Sequence, residues 1–152
     1  MTTSPKIFVD ADALPRAARD IIVRASGRCE IDVLFVANGW YEKPRAKRVE
    51  VELVAPGEDV ADDRIVELIG EGDLCITSDI PLAARVVEQG AYCITPRGRE
   101  LTEQTVGPAL SLRDFHTDLR DSGVQTGGPS AYDAKAREGF ANALDRWLTQ
   151  NL

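Results

Sequence analysis

The sequence predicts a three-layer α/β/α fold with a mainly parallel sheet. Short apolar runs of strand length alternate with stretches whose apolar residues recur at helical spacing. A run that is apolar throughout, as at Ile7-Phe8-Val9, belongs to a strand covered on both faces. The chain has 152 residues with no internal repeat, linker or low-complexity segment, so one domain is expected to span residues 1–152.

Taken in order, residues 7–9 form the first strand. Leu14, Ala17, Ala18, Ile21, Ile22 and Ala25 then fall at i, i+3, i+4, i+7, i+8 and i+11, one face of a helix. Pro15 fits its first turn, where a missing N–H costs little. Residues 31–36 are a second strand, closed by the turn signal Asn38-Gly39. A basic loop at 43–48 precedes a third strand at 49–54. Ala61, Ile65, Leu68 and Ile69 share a face of a helix over 60–69. Gly72-Asp73 leads into a strand at 74–77. Ile80, Ala83, Ala84 and Val87 mark another helix, and 92–95 a further strand. After Pro96-Arg97-Gly98 the chain is expected to turn helical, over 103–110, 111–122 and 133–148, with a loop at 126–129.

Composition narrows the functions. At 43% hydrophobic and 28% charged residues the chain is neither disordered nor fibrous. No apolar run approaches the roughly 20 residues of a membrane helix, and the first residues lack a signal peptide's charged and apolar blocks. A cytoplasmic protein is expected. Three cysteines, Cys29, Cys75 and Cys93, are an odd number without CxxC spacing. They argue against a disulfide framework and a thiolate zinc site, and for reduced, mostly buried thiols. The single histidine, His116, reads as a surface or capping residue and gives no basis for a zinc or triad mechanism. A net charge of −7 argues against broad coating of nucleic acid, whose affinity comes largely from phosphate neutralisation. It leaves open a small acidic pocket that collects divalent cations.

Open α/β sheets bind ligands beyond the carboxyl ends of their strands. Asp10 and Asp12 follow the first strand, Asn38 the second, Asp59 and Asp62 lie just after the third, and Thr77-Ser78-Asp79 follow the fourth. Like charges at that density repel unless a cation sits among them, which points to Mg²⁺ or Mn²⁺. Several of these residues have a second reading as helix caps. Asp12 fits a helix beginning near Ala13, Asp79 or Ser78 one beginning near Ile80, and Asp59 with Asp62 a capping pair. On a helical wheel Asp62 borders the apolar face and Asp63 points away, so Asp62 is the candidate ligand. Asp10 ends a strand, where a cap is not needed. Asn38 is either a turn residue or a substrate contact. Arg113 is a surface helix residue or a phosphate fork. The loop Thr126-Gly127-Gly128-Pro129 is a flexible turn or a place where backbone amides approach a phosphate. Trp40 and Tyr41, beside the basic loop, either stack a base or cover the core or an interface.

These segments also resemble a known family. Val9-Asp10-Ala11-Asp12-Ala13, Asp59-Val60-Ala61-Asp62, Thr77-Ser78-Asp79-Ile80-Pro81-Leu82-Ala83, Pro96-Arg97-Gly98, Arg113-Asp114-Phe115 and Thr126-Gly127-Gly128-Pro129 are similar, in this order, to the bacterial YaiI/YqxD family. The resemblance runs from about residue 6 to 147. That family looks related to PIN-like domains, metal-dependent nucleases with acidic residues at the carboxyl ends of a parallel sheet. The resemblance implies that Asp10, Asp62 and Asp79 are catalytic and hold Mg²⁺ or Mn²⁺, with Asp12 and Asp59 as further ligands. Arg97, Arg113, Thr126, Gly127 and Gly128, together with Asn38, are the candidate substrate-binding residues. One position departs: the family usually carries Cys before the proline of its opening motif, where this chain has Leu14. A carboxylate mechanism does not need that cysteine.

The expected function is therefore a metal-dependent phosphodiesterase acting on RNA, the RNA preference coming from the PIN-like resemblance. Two alternatives stand beside it. One is a noncatalytic nucleotide- or RNA-binding module. The other is a phosphatase of the haloacid-dehalogenase type, which also opens with a strand and DxD. That pattern usually places Thr or Val where this chain has Leu14, and it expects a lysine near the site. After Lys47 the next lysine is Lys135.

Overall fold

The structure, a computed structural model, describes residues 4–12, 14–57, 59–111 and 132–152. In chain order these form β1 (Ile7–Asp10), α1 (Arg16–Cys29), β2 (Val33–Asn38), β3 (Val49–Val54), α2 (Val60–Leu68), β4 (Leu74–Ile76), α3 (Ile80–Glu88), β5 (Tyr92–Ile94), β6 (Glu100–Leu101), α4 (103–111) and α5 (Ala134–Asn151). The sheet order is β3-β2-β1-β4-β5-β6. The first five strands pair in parallel, and β6 runs antiparallel to β5 at the edge.

Alternation of side chains along each strand divides the core into two. Ile7, Val9, Phe35, Leu74 and Ile76 face α1 and α5, whose Ile22, Phe140, Leu144 and Trp147 close one side. Phe8, Val36, Cys75 and Cys93 face α2 and α3, closed by Ile65, Leu82 and Val86. Strands buried on both faces explain why their runs are apolar throughout. The result is the expected α/β/α layering with a mainly parallel sheet. No helix among the described residues is long and apolar enough to cross a membrane.

The boundaries differ from expectation for local reasons. α1 starts at Arg16, because Pro15 takes extended angles (φ −61°, ψ 141°) as its N-cap and the residue before a proline avoids helical angles. Asp12 therefore caps no helix. β2 extends through Asn38, so Asn38 is a strand residue and the left-handed turn falls on Gly39 (φ 115°). Leu68 is 37% exposed, and only Ala61, Ile65 and Ile69 of the expected α2 face are buried. After Gly98 the chain first makes β6, a strand of two residues too short to leave a periodic signal. The α4 helix begins at 103 as expected. The expected helix over 111–122 lies outside the described residues after 111, and so does the loop at 126–129.

The connection from β2 to β3, residues 39–48, carries no helix. It lies on the α1 side of the sheet, where Tyr41 stacks on Phe35 at 5.7 Å between ring centroids. Arg19 of α1 holds it from above, its guanidinium 4.9 Å over the Tyr41 ring and donating to the Glu42 carbonyl at 2.7 Å.

Cys75 and Cys93 are register neighbours on β4 and β5, fully buried and unbridged, and Cys29 is half-buried. The adjoining Cys93 thiol and burial hold the Cys75 thiol well above its ordinary range, so Cys75 behaves as a small apolar group.

Candidate functional site

The strand order makes β1 and β4 neighbours, with Ile7 opposite Leu74 and Val9 opposite Ile76. From β1 the chain leaves to the α1 side and from β4 to the α3 side. Such a switch point opens a crevice beyond the strand ends, the place where doubly wound sheets take ligands. Here the crevice is a cavity of about 740 Å³ lined by Asp10, Asp12, Asn38, Asp59, Asp62 and Asp79. Each of the five candidate metal ligands lines it. A second cavity, of about 660 Å³, lies at the amino edge of the sheet. Two of its acidic groups have local partners: Asp73 accepts from the Lys6 and Gly70 amides at 2.9 Å, and Asp32 pairs with Arg48 at 3.2 Å.

Asp10 is 8% exposed and held from two sides. The buried Thr77 hydroxyl donates to Asp10 Oδ2 at 2.9 Å and accepts from the Asp79 amide at 2.9 Å. The Asp12 amide donates to Asp10 Oδ1 at 3.3 Å. Thr77 thus ties the end of β1 to the turn after β4. Asp79 accepts from the Leu82 amide at 3.1 Å, so it does cap α3, using one oxygen and leaving the other for the cavity. Asp12 Oδ1 accepts weakly from the Asn38 amide at 3.4 Å, and the Asn38 side chain donates to the Gly57 carbonyl at 2.8 Å.

Asp59 stands at the N-cap of α2 without making a capping bond, and its backbone is left-handed (φ 64°). A non-glycine residue there costs on the order of 1 kcal/mol. The turn therefore aims Asp59 at the cavity rather than back at its helix. Asp62 lines the cavity and Asp63 does not, as the helical wheel required; Asp63 pairs at 2.9 Å with Arg85, a cation that itself lines the cavity.

Burial pushes the Asp10 carboxyl up to about 6, with the Asp12 and Asp79 charges adding to the rise and the Thr77 hydrogen bond opposing it. Asp62 is pushed up to about 7, first by burial and then by the charges of Asp79 and Asp10. Both carboxyls thus hold protons well above the range of a solvated Asp, because the cavity disfavours so many negative charges.

Two expectations follow. Unfolded Asp releases its proton near pH 4, whereas these two keep theirs to about pH 6 and 7. Their contribution to stability is present below pH 4 and lost as pH rises through 6 to 7. In chelator-treated protein, Asp62→Asn should therefore gain stability over wild type across that window, on the order of 1 kcal/mol because Asp62 keeps part of its surface in water. Thermal melts from pH 4 to 8 measure it, and a gap that stays constant with pH would refute it. Secondly, Thr77→Val should raise the Asp10 titration above 6 and cost about 1–3 kcal/mol, since a buried hydroxyl serving two partners is lost. Carboxyl NMR titration of chelated protein reads the shift.

All the donors here are oxygen, the set that hard cations such as Mg²⁺ and Mn²⁺ take. Among the described residues, however, no three His, Cys, Asp or Glu side chains converge into a ready-made metal cage.

With this geometry in place, residues 8–150 match the family model described as "Uncharacterized BCR, YaiI/YqxD family". The chain belongs to the YaiI/YqxD family. Its relatives include UPF0178 proteins of Shewanella pealeana (45% identical, covering 96% of this chain and 97% of that one) and Desulfotalea psychrophila (46%, covering 95% and 98%). Another, from Xanthomonas campestris, is 47% identical over 95% of this chain and 91% of its own. No solved structure matches the chain.

In this YaiI/YqxD protein the other site expectations divide. Asn38 lines the acidic cavity. Arg97 does not; it stands in the turn between β5 and β6, with its guanidinium 5.9 Å over the Tyr132 ring. Arg113, Thr126, Gly127 and Gly128 lie outside the described residues. Leu14, where the family usually has Cys, packs against the α1 side of the core. Thr77 was not singled out from the sequence, because at the end of an apolar strand it reads as one more buried β-branched residue. A hydroxyl two residues before a site Asp was the signal available.

Proposed function

We propose that this protein is a divalent-metal-dependent phosphodiesterase, a nuclease acting on RNA. The observation that carries the reading is the switch-point cavity with Asp10, Asp62 and Asp79 gathered around it. When bound, Mg²⁺ or Mn²⁺ supplies an activated water and neutralises charge building on the phosphate. The chain's own residues prepare the rest. Asp10, fixed by Thr77 and the Asp12 amide, presents carboxylate oxygens at the cavity floor. Asp62, which holds its proton to about pH 7 in the metal-free cavity, would exchange that proton for the cation on binding. Asp12, Asp59 and Asp79 add negative charge that favours a cation, and Asn38 borders the phosphate's approach. No lysine lines this cavity among the described residues, which disfavours the haloacid-dehalogenase alternative.

Calorimetric titration with Mn²⁺ tests the reading without a guess about substrate. Wild type should bind, and Asp79→Asn should bind more weakly while staying folded, because Asn remains a good N-cap. A screen of single-stranded RNA with Mn²⁺ then looks for strand scission. Tight RNA binding without turnover would favour the noncatalytic module. Absence of Mn²⁺ binding at millimolar concentration, both alone and with an RNA phosphorothioate present, would overturn the proposal.

A further inference from the structure

We propose that the cleft between α1 and the 39–48 connection, together with Trp40, is a track for single-stranded nucleic acid leading to the acidic cavity. Arg16, Arg19, Arg24, Lys43 and Arg45 line this cleft of about 440 Å³, against two carboxylates, Asp20 and Glu42. A local excess of cations in a chain of net charge −7 is a directed feature. Among the described residues no salt bridge engages Arg16, Arg24 or Arg45. Lys43 pairs with Glu50 at 3.2 Å, an exposed and easily exchanged contact. From Arg16 to Arg24 the helix advances about 12 Å, so the cations form a line rather than a point.

The line starts where the chemistry is placed. Arg16 opens α1 four residues after Asp12, at the carboxyl edge of the sheet. Trp40 stands two residues after Asn38, which lines the acidic cavity, and two before Glu42, which lines the basic cleft. It is 83% exposed, whereas the adjoining Tyr41 is spent on packing against Phe35. An indole left so fully in water, two residues along the chain from a lining residue of each recess, is a platform for an aromatic face. Polyanion and aromatic face together identify a nucleic acid, and stacking requires bases that are not paired in a duplex.

The inference rests on the phosphodiesterase reading for what happens at the acidic cavity, but binding along the track is separable from it. Fluorescence anisotropy of labelled 12-nucleotide single-stranded RNA and DNA in EDTA measures the track alone. Trp40→Ala should weaken binding about 5- to 100-fold, with recovery in Trp40→Phe. Arg16→Ala with Arg24→Ala should lower the slope of log affinity against log salt by roughly 1.4, about 0.7 for each cation. Asp62→Asn should not weaken binding. Equal binding by wild type and Trp40→Ala, or displacement of the RNA by polyglutamate at equal charge, would overturn the track. If no phosphodiester is hydrolysed yet Trp40-dependent binding remains, the track stands and the catalytic reading falls. The ratio of RNA to DNA affinity tells which strand it prefers.

Discussion

Asp10→Asn is expected to lower Mn²⁺ affinity and phosphodiesterase turnover about a hundredfold or more, with the fold intact. Asp10 is the most buried carboxylate of the cavity, and its two oxygens are already oriented by Thr77 and the Asp12 amide. Asn keeps an acceptor for the Thr77 hydroxyl and keeps the shape, gives up the long 3.3 Å bond from the Asp12 amide, and removes the charge that would meet a cation. Preorganised groups of this kind are worth two to three orders of magnitude in rate when removed. Stability should not fall at pH 7. The wild-type carboxyl, pushed up to about 6, is there a buried charge that the Asn variant no longer carries. Calorimetry, turnover of a labelled RNA and thermal melts at pH 7 together separate a lost site from a lost fold. Wild-type turnover in Asp10→Asn would remove Asp10 from the chemistry.

Gly98→Ala is expected to cost more than about 3 kcal/mol, a fall in Tm of roughly 6 to 12 °C. Gly98 forms the turn between β5 and β6 with φ 91°, a region L-residues avoid. A Cβ there would also overlap the Gly139 carbonyl and crowd the Phe140 amide of α5. Both obstacles are backbone, so no side chain can swing aside. Tyr132 reinforces the junction by donating to the Pro96 carbonyl at 2.7 Å. Gly27→Ala in α1, where a Cβ meets nothing within 4 Å, is the control and should be neutral or mildly stabilising. Equal melting temperatures for Gly98→Ala and wild type would contradict the close approach.

Much of this was legible in the sequence because the sheet is buried on both faces. Ile7-Phe8-Val9 and Leu74-Cys75-Ile76 can be read without alternation, and the acidic residues behind them mark the carboxyl edge. Strand order was not legible, and it is what sets Asp10 beside the turn carrying Asp79. At Asp79 capping and cavity roles look exclusive in the sequence, whereas the one carboxylate accepts from the Leu82 amide and also lines the cavity. At Asp59 the capping reading failed on a backbone angle that no spacing reveals. Trp40 and Tyr41 were treated as a pair, and packing against Phe35 separated them. β6 was invisible because two residues carry no period.

The central position of β1 has a consequence for how the protein is made. Its four residues leave the ribosome early, but one of its two partners, β4, lies 67 residues later, the same interval that separates Asp10 from Thr77. At ordinary synthesis rates that interval lasts roughly 3 to 13 s. Throughout it, Ile7, Phe8 and Val9 present an apolar strand edge with nothing to pair on that side. The acidic cavity is therefore assembled in two instalments, and a nascent chain stalled before residue 77 lacks the Thr77 hydroxyl that holds Asp10.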